Sequence, residues 1–569
     1  MAQIARNEGL TSLVRLFRFA SPPVRRHLVT AVGVTIVTAV GEIGTILALN
    51  RALLALLRGN GAGPGATVAG FWLLGFFAMA IATALLRLTN VWLMTNALTG
   101  LNRDLCIASF DRLQHQPYRQ FLAKGAAESF AIIDKIQMIV MTAIEPLFSA
   151  AVSILVATAI IAAFITLKLF FVIPILIATL GVYALTGRLI GNRLKVSGAE
   201  LSALASLRMK KIFEARGGFR DIILADGISR VVEDFAAIET RFRRRQRDNM
   251  VGGQAPRYAI EALLLMMGAV VLALTPLEKT EIMGALPGLG VIAFGLLRML
   301  PLLSAMHANW GQIQSALPVV ADINACLDAP VEEETGPASS PIAFDRMIEL
   351  TNITLSFPDR PGVLQGLDLS IPKGARVAIT GVSGSGKSSL LDIICGIYDP
   401  DAGEIRIDGV PLADPGARLA WRRRIGIVSQ NVYLTEGTIL DAIIFPDRIE
   451  TLQPQRLARC MEKSSLAPLI AELPLGLDTL TGGAGIALSG GQRQRVAIAR
   501  ALYHATDILV LDEASGQLDA DTEQEMVDAL KGIDAAMTLI LVTHGEAPLQ
   551  LCDTVIEMPS GRQRPNKRV

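Results

Sequence analysis

The chain has 569 residues, of which 51% are hydrophobic and 18% are charged, and its formal net charge is +1. A mean hydropathy of +0.45 excludes an ordinary soluble protein of this size, and the near-zero charge gives no bulk field for binding nucleic acid. The length predicts more than one domain. The cysteines lack C-x-x-C or metal-ligand spacing, which favours reduced thiols at Cys106, Cys326, Cys395, Cys460 and Cys552.

The N-terminal half contains long apolar runs. The first, residues 28–49, follows a basic tail; it is too long for a signal-peptide core and lacks a cleavage site, so it predicts a retained membrane helix. A span needs about 20 mostly apolar residues. Six segments qualify, and they predict an all-α membrane domain over residues 1–327: 28–49, 68–87, 147–167, 169–187, 257–277 and 285–305.

Two long hydrophilic inserts, residues 88–146 and 188–256, alternate with short links between the spans. Both inserts are rich in Lys and Arg, as is the N-terminal tail, so the positive-inside rule places all three in the cytosol. Their apolar periodicity is helical, which predicts cytosolic extensions of the membrane helices. Each insert is interrupted once, near 114–126 and 217–226, and these interruptions are expected to form the tips of two helical hairpins.

The C-terminal part has a different pattern. An acidic stretch rich in Pro and Ser, "DAPVEEETGPASSP", opens a predicted linker over 328–346. From residue 347 to 569, short β-rich runs such as "RVAITG", "DILVLDE" and "LILVTH" alternate with helical segments. This alternation predicts a parallel α/β domain of the nucleotide-binding type.

The stretch "GVSGSGKSS" (381–389) follows the predicted strand "RVAIT" and precedes a helical run. In this context the pattern G-x-x-x-x-G-K-[ST] predicts a phosphate-binding loop, because glycines let backbone N–H groups surround phosphates at a helix N-terminus. Lys387 is expected to bind the β- and γ-phosphates of ATP, and Ser388 to ligate Mg²⁺. A chance glycine-rich turn is the alternative. The other predicted contacts are Gly381, Ser383, Gly384, Ser385, Gly386 and Ser389.

Two further stretches contain residues expected to take part in catalysis or in nucleotide binding. "DILVLDEAS" (507–515) is an apolar strand ending in Asp512, expected to contact Mg²⁺, and Glu513, expected to act as the general base; solvated turn residues are the alternative. "LSGGQRQR" (488–495) opens a helix and predicts a second backbone anion site, formed by Ser489, Gly490, Gly491 and Gln492. A second phosphate-binding site implies a contact with a second nucleotide.

With these motifs the chain resembles the ATP-binding cassette family, in the half-transporter arrangement of exporters. The resemblance implies that two ATP molecules lie between two cassettes in a head-to-tail dimer, so we expect a homodimer. It implies that Gln430 contacts Mg²⁺ and the attacking water and that His544 contacts the γ-phosphate. It also implies that Phe357 stacks on adenine, with core packing as the alternative, and that Asp519 follows the catalytic glutamate.

The chain departs from the family pattern in two places. The loop before Asp519 usually has S-A-L-D, and here it has Gly516 and Gln517; exporters often have a glutamate at Gly483. The second departure affects a contact between the cassette and the cytosolic hairpins. The resemblance implies that the interruptions at 114–126 and 217–226 are coupling helices, and that alternating access follows ATP binding and hydrolysis.

Ionisable residues in the spans indicate the chemistry of the transported substrate. Such residues are costly in hydrocarbon and normally face a cavity or each other. Arg87, Arg257 and Arg298 are predicted to line one basic zone for an anionic head group such as a pyrophosphate. In the alternative, Arg87 and Arg257 extend to the membrane interface while Arg298 pairs with Glu261. Glu42 is the other ionisable residue inside a span.

Three segments, "QPYRQFLAKGAAES", "GGFRDIILADG" and "APRYAIEALLL", resemble bacterial exporters that flip lipid-linked oligosaccharides. The resemblance implies ATP-driven transport of a polyprenyl- or lipid-linked pyrophosphate glycan across the bacterial inner membrane. An exporter of hydrophobic drugs, lipids or peptides is the alternative. A third class, an ATP-gated channel, is disfavoured because Glu513 is intact and gating can dispense with turnover.

Overall fold

The computed structural model describes residues 11–58, 64–123, 126–169, 172–274, 279–329, 331, 342–357, 360–481, 488–504, 507–513 and 520–566. The chain divides into two compact units, Met1–Val331 and Glu332–Val569. The first unit is helical, and the second combines sheets and helices.

Long helices make up the first unit. Among the described residues they are α1 (Pro22–Arg58), α2 (Pro64–Gln114), α3 (Tyr118–Ala123), α4 (Ala126–Ile139), α5 (Glu145–Thr166), α6 (Val172–Gly217), α7 (Phe219–Leu224), α8 (Ile228–Leu274) and α9 (Lys279–Leu327). A π-helical turn at Val140–Ile144 joins α4 to α5. Helical residues 11–16 and a 3₁₀ turn, Phe17–Phe19, precede α1.

The long inserts continue the helices that precede or follow them. Helix α2 runs for 51 residues without a break, about 77 Å at 1.5 Å per residue. This length far exceeds the roughly 30 Å hydrocarbon core of a bilayer. Helices α6, α8 and α9, with 46, 47 and 49 residues, have similar lengths. Each of these helices therefore extends well beyond one span.

Four described helical segments are long and apolar enough to cross a membrane: Pro22–Leu56, Thr67–Gln114, Ala131–Thr166 and Gly290–Leu327. Of the predicted spans, 169–187 and 257–277 fall mainly on α6 and α8, where most side chains lie outside the described residues. Helix α2 exposes a broad apolar surface that includes Phe71, Leu74 and Leu88. Such a surface suits contact with lipid or with another membrane helix.

The two interruptions in the inserts contain the six-residue helices α3 and α7. Helix α7 ends before Asp226, whose backbone φ of +50° reverses the chain at Gly227. Helix α3 follows Pro117, and a proline at this point ends the regular helix before it. The long helices on either side therefore form hairpins with these short helices at the tips.

Glycines let the helices of the first unit approach closely. A Cβ atom at Gly41 of α1 would lie 2.5 Å from the Thr83 side chain of α2, and one at Gly198 of α6 would lie 2.0 Å from the Ser315 carbonyl oxygen of α9. Small residues at helix contacts are typical of membrane proteins, in which van der Waals packing drives association. These contacts hold α1 against α2 and α6 against α9.

The second unit contains the β-strands. They are β1 (Met347–Phe357), β2 (Arg360–Pro372), β3 (Arg376–Thr380), β4 (Ala402–Ile407), β5 (Val410–Pro411), β6 (Ile425–Val428), β7 (Gly437–Thr438), β8 (Leu480–Thr481), β9 (Ile508–Asp512), β10 (Thr538–Val542), β11 (Thr554–Glu557) and β12 (Arg562–Pro565). The helices are α10 (Lys387–Ile394), α11 (Pro415–Arg422), α12 (Ile439–Ile444), α13 (Pro454–Lys463), α14 (Ala467–Glu472), α15 (Gly490–His504), α16 (Ala520–Lys531) and α17 (Glu546–Leu549).

The main sheet has the strand order β12-β11-β3-β10-β9-β6, in which β12 pairs antiparallel and the other pairings are parallel. Strands β9 and β10 are almost entirely buried apolar residues, as expected for a parallel sheet covered on both faces. A second, antiparallel sheet has the order β2-β1-β4-β5. The predicted α/β fold of this part of the chain is confirmed.

Candidate functional site

Four parallel strands of the main sheet carry the residues predicted to act on ATP. The glycine loop follows β3, Gln430 follows β6, Asp512 and Glu513 end β9, and His544 follows β10. Because parallel strands present their carboxyl ends at one edge of a sheet, these segments meet there. The structure brings Lys387, Gln430, Glu513 and His544 into one hydrogen-bonded or ion-paired cluster.

The loop before α10 requires glycine at specific positions. Gly381, Gly384 and Gly386 have φ values of +150°, +81° and +93°, a region that side chains disfavour. A Cβ atom on Gly381 would also lie 2.7 Å from the Met558 carbonyl oxygen. The buried hydroxyl oxygen of Ser385 has no hydrogen-bond partner among the described residues. The loop therefore wraps tightly around the start of α10 and holds a donor that suits a phosphate oxygen.

Lys387 lies at the centre of the cluster, with a side chain only 5% exposed. Its Nζ donates to the carbonyl oxygens of Gly381 at 2.9 Å and Val382 at 3.3 Å. The same atom lies 3.1 Å from Nε2 of His544 and 3.7 Å from Oε1 of Glu513. The ammonium group is thus held between the glycine loop and the ends of β9 and β10, where a phosphate bound to the loop would meet it.

Glu513 has a strained backbone and a fixed side chain. Its φ of +47° is uncommon for a residue with a side chain, and such outliers cluster at functional sites. Gln430 Nε2 donates to Glu513 Oε2 at 2.8 Å, and His544 Nε2 lies 3.8 Å from Oε1. The carboxylate is therefore positioned by neighbours that follow β6 and β10, as a base acting on one defined water would have to be.

Asp512 and Ser388 offer oxygen atoms for a hard cation. Ser388 Oγ donates to Asp512 Oδ1 at 3.5 Å. Burial raises the pKa of Asp512, and the charge of Glu513 adds to this rise. Burial also raises the pKa of Asp392, one turn further along α10, to about 6. Hydroxyl and carboxylate oxygens are ligands that Mg²⁺ accepts together with phosphate oxygens and water, so these residues fit the predicted metal.

The predicted second anion site lies at the start of α15. Gln492 N donates to Ser489 Oγ at 3.2 Å, and Ser489 N donates to Gln492 Oε1 at 2.9 Å, a reciprocal capping box. A Cβ atom on Gly490 would have no neighbour within 4 Å. The first turn of α15 is therefore locally ordered and open at Gly490. Its contact with a second nucleotide stays a prediction.

Of the remaining positions that the family resemblance identified, the structure describes Phe357. Phe357, at the end of β1, is partly buried against the core and lies edge-on to Tyr398, with ring centroids 5.7 Å apart and an interplanar angle of 80°. This arrangement agrees with the core-packing alternative and leaves adenine stacking as a prediction. Asp519, Gly483, Gly516 and Gln517 lie outside the described residues.

An ionic cluster joins three helices of the membrane unit. The Glu42 side chain on α1 is 0% exposed, and its Oε1 lies 2.5 Å from Nη2 of Arg87 on α2. Arg298 on α9 donates through Nη1 to Oε1 at 2.7 Å and to Oε2 at 2.8 Å. The Arg298 guanidinium also lies 5.2 Å from the centroid of the Phe294 ring. One buried carboxylate therefore holds two guanidinium groups.

This cluster gives Arg298 a partner that the sequence analysis did not consider. Arg298 pairs with Glu42, and its pairing with Glu261 stays a prediction. Arg87 also bonds to Glu42, which lies near the middle of α1. The side chains of Arg257 and Glu261 lie outside the described residues. The signal that predicts this partnership is the isolated carboxylate of Glu42 in an apolar run, which needs a counter-charge.

Comparisons with known proteins agree with this arrangement. Residues 364–516 match the family model described as ABC transporter. The ATP-dependent lipid A-core flippase of Alkalilimnicola ehrlichii (strain ATCC BAA-1101 / DSM 17681 / MLHE-1) is 36% identical over 282 residues, which are 48% of this chain and 47% of that relative. The matched part of this relative is thus about half its length.

A longer match is to the ATP-dependent lipid A-core flippase of Haemophilus influenzae (strain 86-028NP), which is 30% identical over 71% of this chain and 68% of its own length. A bacterial Atm1-family ABC exporter with ATP bound has the same fold, with a TM-score of 0.81, 23% identity and 95% of each chain covered. The chain therefore belongs to the ATP-binding cassette (ABC) exporters, as a half-transporter in which an ATPase cassette is joined to a multi-pass membrane domain.

Proposed function

We propose that the chain, as a homodimer, flips a lipid-linked oligosaccharide with a pyrophosphate group across the bacterial inner membrane, driven by ATP. The observation that carries this proposal is the cluster of Glu42, Arg87 and Arg298. Two guanidinium groups share one carboxylate, so the cluster has one surplus positive charge. The relatives named lipid A-core flippases support a lipid substrate.

The residues of the cassette have different roles in ATP hydrolysis. Lys387 binds the β- and γ-phosphates, with backbone N–H groups of the loop around it. Ser388, Asp512 and Gln430 would hold Mg²⁺, which would supply positive charge to neutralise the phosphates. Glu513 orients and deprotonates the attacking water, while Gln430 fixes its carboxylate. His544, which already reaches Lys387, contacts the γ-phosphate.

A second copy completes each ATP site. Because each chain has one glycine loop and one signature, the signature residues Ser489, Gly490, Gly491 and Gln492 contact the ATP held by the partner cassette. ATP binding joins the cassettes and hydrolysis releases them. The short helices α3 and α7, at the tips of the cytosolic hairpins, transmit this change to the membrane helices as coupling helices. The N-terminus and the cassette then lie in the cytosol.

The ionic cluster attracts the anionic group of the substrate. Arg87 and Arg298 have side chains that are 45% and 26% exposed, whereas Glu42 is fully buried. The guanidinium groups thus present N–H donors on the accessible side while the carboxylate anchors them from behind. Such donors bind phosphate oxygens by charge-assisted hydrogen bonds. Arg257 is proposed to add to this zone.

The proposal is tested with purified protein in vesicles that contain a fluorescent polyprenyl-pyrophosphate glycan. Wild-type protein should invert the lipid in the presence of ATP. The variant Arg87→Ala should slow inversion about tenfold or more, because it removes a charge-assisted contact of roughly 1.5–3 kcal/mol. The triple variant Arg87→Ala, Arg257→Ala and Arg298→Ala should be slower still. A matched control is Arg112→Ala at the last turn of α2, which should transport normally.

Unchanged inversion by the triple variant contradicts the role of the cluster. Absence of inversion by wild-type protein, together with ATPase stimulation by apolar cations or peptides, favours an exporter of hydrophobic compounds instead. The variants must retain basal ATPase activity and dimer formation, because the cluster also holds three helices together.

A further inference from the structure

A second site lies in the membrane unit, in the helix extensions. A cavity of about 900 Å³ is lined by residues of α4, α6, α8, α9 and the π-helical turn after α4. Gln312 lines it on α9, 14 residues after Arg298, or about 21 Å further along the helix at 1.5 Å per residue. One helix therefore runs from the ionic cluster to this cavity.

The positive charges around the cavity are neutralised. Lys135 Nζ lies 2.7 Å from Asp322 Oδ2. The guanidinium groups of Arg208 and Arg243 both reach Glu239, at 2.9 Å and 2.7 Å. Neither Glu239 nor Asp322 lines the cavity, so their charges offset the cations from outside. A second phosphate is thus a poor match for this space.

Asp134 adds a carboxylate to the cavity wall, which also presents neutral hydrogen-bonding groups. The side-chain amides of Gln137, Asn249 and Gln312 line it, and no hydrogen bond between described residues engages these side chains. Each amide offers both donors and acceptors, which suits hydroxyl groups that also donate and accept. The wall also contains methionine side chains, which adapt to irregular apolar surfaces: Met138, Met141, Met209 and Met250.

We propose that this cavity receives the sugar rings of the lipid-linked glycan while the pyrophosphate meets Arg87 and Arg298. Sugar rings combine several hydroxyl groups with apolar C–H surfaces, the two features that the amides and methionines match. The separation along α9 fits a head group that extends over several rings from the phosphate. This inference rests on the proposed function and adds selection for the length of the glycan.

Two lipids with the same polyprenyl pyrophosphate separate this inference from the proposed function: one carries a single sugar and the other an oligosaccharide. The double variant Gln137→Met and Gln312→Met keeps side-chain volume but removes hydrogen bonding. Inversion of the oligosaccharide lipid should fall about tenfold, the effect of losing two ordinary hydrogen bonds. Inversion of the single-sugar lipid should stay within about twofold of wild type. The control Gln455→Met makes the same change at an exposed position of α13, outside the cavity, and should affect neither lipid.

Equal losses with both lipids, or no loss with either, overturn this inference while leaving the proposed function intact. Wild-type protein that inverts neither lipid overturns both. A labelling experiment does not depend on the double variant: Gln312→Cys should react with a soluble thiol reagent. The oligosaccharide lipid should slow this reaction severalfold and the single-sugar lipid should not. Equal protection by both lipids contradicts a site for the extended glycan.

Discussion

The cassette and the membrane unit reach their functional geometry in different ways. In the cassette, Gln430 and Glu513 are 83 residues apart but follow neighbouring strands, and parallel pairing brings their positions to one edge. In the membrane unit, Glu42 meets Arg298 across 256 residues with no comparable rule. The position of a residue after a strand thus predicts its site in a parallel sheet, whereas its position in a span does not.

The largest effect is expected for a variant of the cassette, which tests whether the residue that follows β9 has the predicted role. Glu513→Gln should lower steady-state ATP hydrolysis by about 10²–10⁴-fold, the usual contribution of a general base, while ATP binding persists. Phosphate release and retention of labelled nucleotide measure the two steps. Glu472→Gln, at an exposed position of the same unit, is the control. Steady turnover by Glu513→Gln would refute its role as the base.

In the membrane unit, Glu42→Gln should reduce stability more than loss of either arginine. Removing one partner of a buried ionic cluster leaves uncompensated charge and costs about 3–5 kcal/mol; here two guanidinium groups lose their carboxylate. Thermal unfolding in detergent provides the comparison. The double variant Glu42→Gln with Arg298→Gln should cost less than the sum of the single changes. Strict additivity would show that the cluster does not act as one unit.

Helix contacts give a smaller effect. Gly198→Ala places a Cβ atom 2.0 Å from the Ser315 carbonyl oxygen, so α6 and α9 must separate; the expected destabilisation is about 1–3 kcal/mol. Gly181 lies on the same helix, and a Cβ atom added there would have no neighbour within 4 Å. Gly181→Ala should therefore be neutral or stabilising by up to about 1 kcal/mol. Equal melting temperatures for the two variants would contradict the close contact.

Sequence reasoning predicted the α/β cassette and the continuous helices of the membrane unit because both produce local patterns. Glycine spacing, strand ends and apolar periodicity are all visible within short windows. It missed the partner of Arg298 because the contact depends on which helices pack together and at what depth. It also missed the cavity that includes Gln137 and Gln312, since amides on a cavity wall have no pattern of their own. Packing between distant helices determined both features.

The smallest expected effect is that of Phe357→Tyr. Phe357 matches the adenine-stacking position of the family, and the fold also uses its ring for packing. Because the ring lies edge-on to Tyr398 and is partly buried, Phe357→Tyr should change the KM for ATP by no more than about twofold, since the π face that stacks on a base is kept. Phe357→Ala should raise KM about tenfold if the ring stacks on adenine, which is worth about 1–3 kcal/mol. Loss of stability without a change in KM would assign this residue to the core alone.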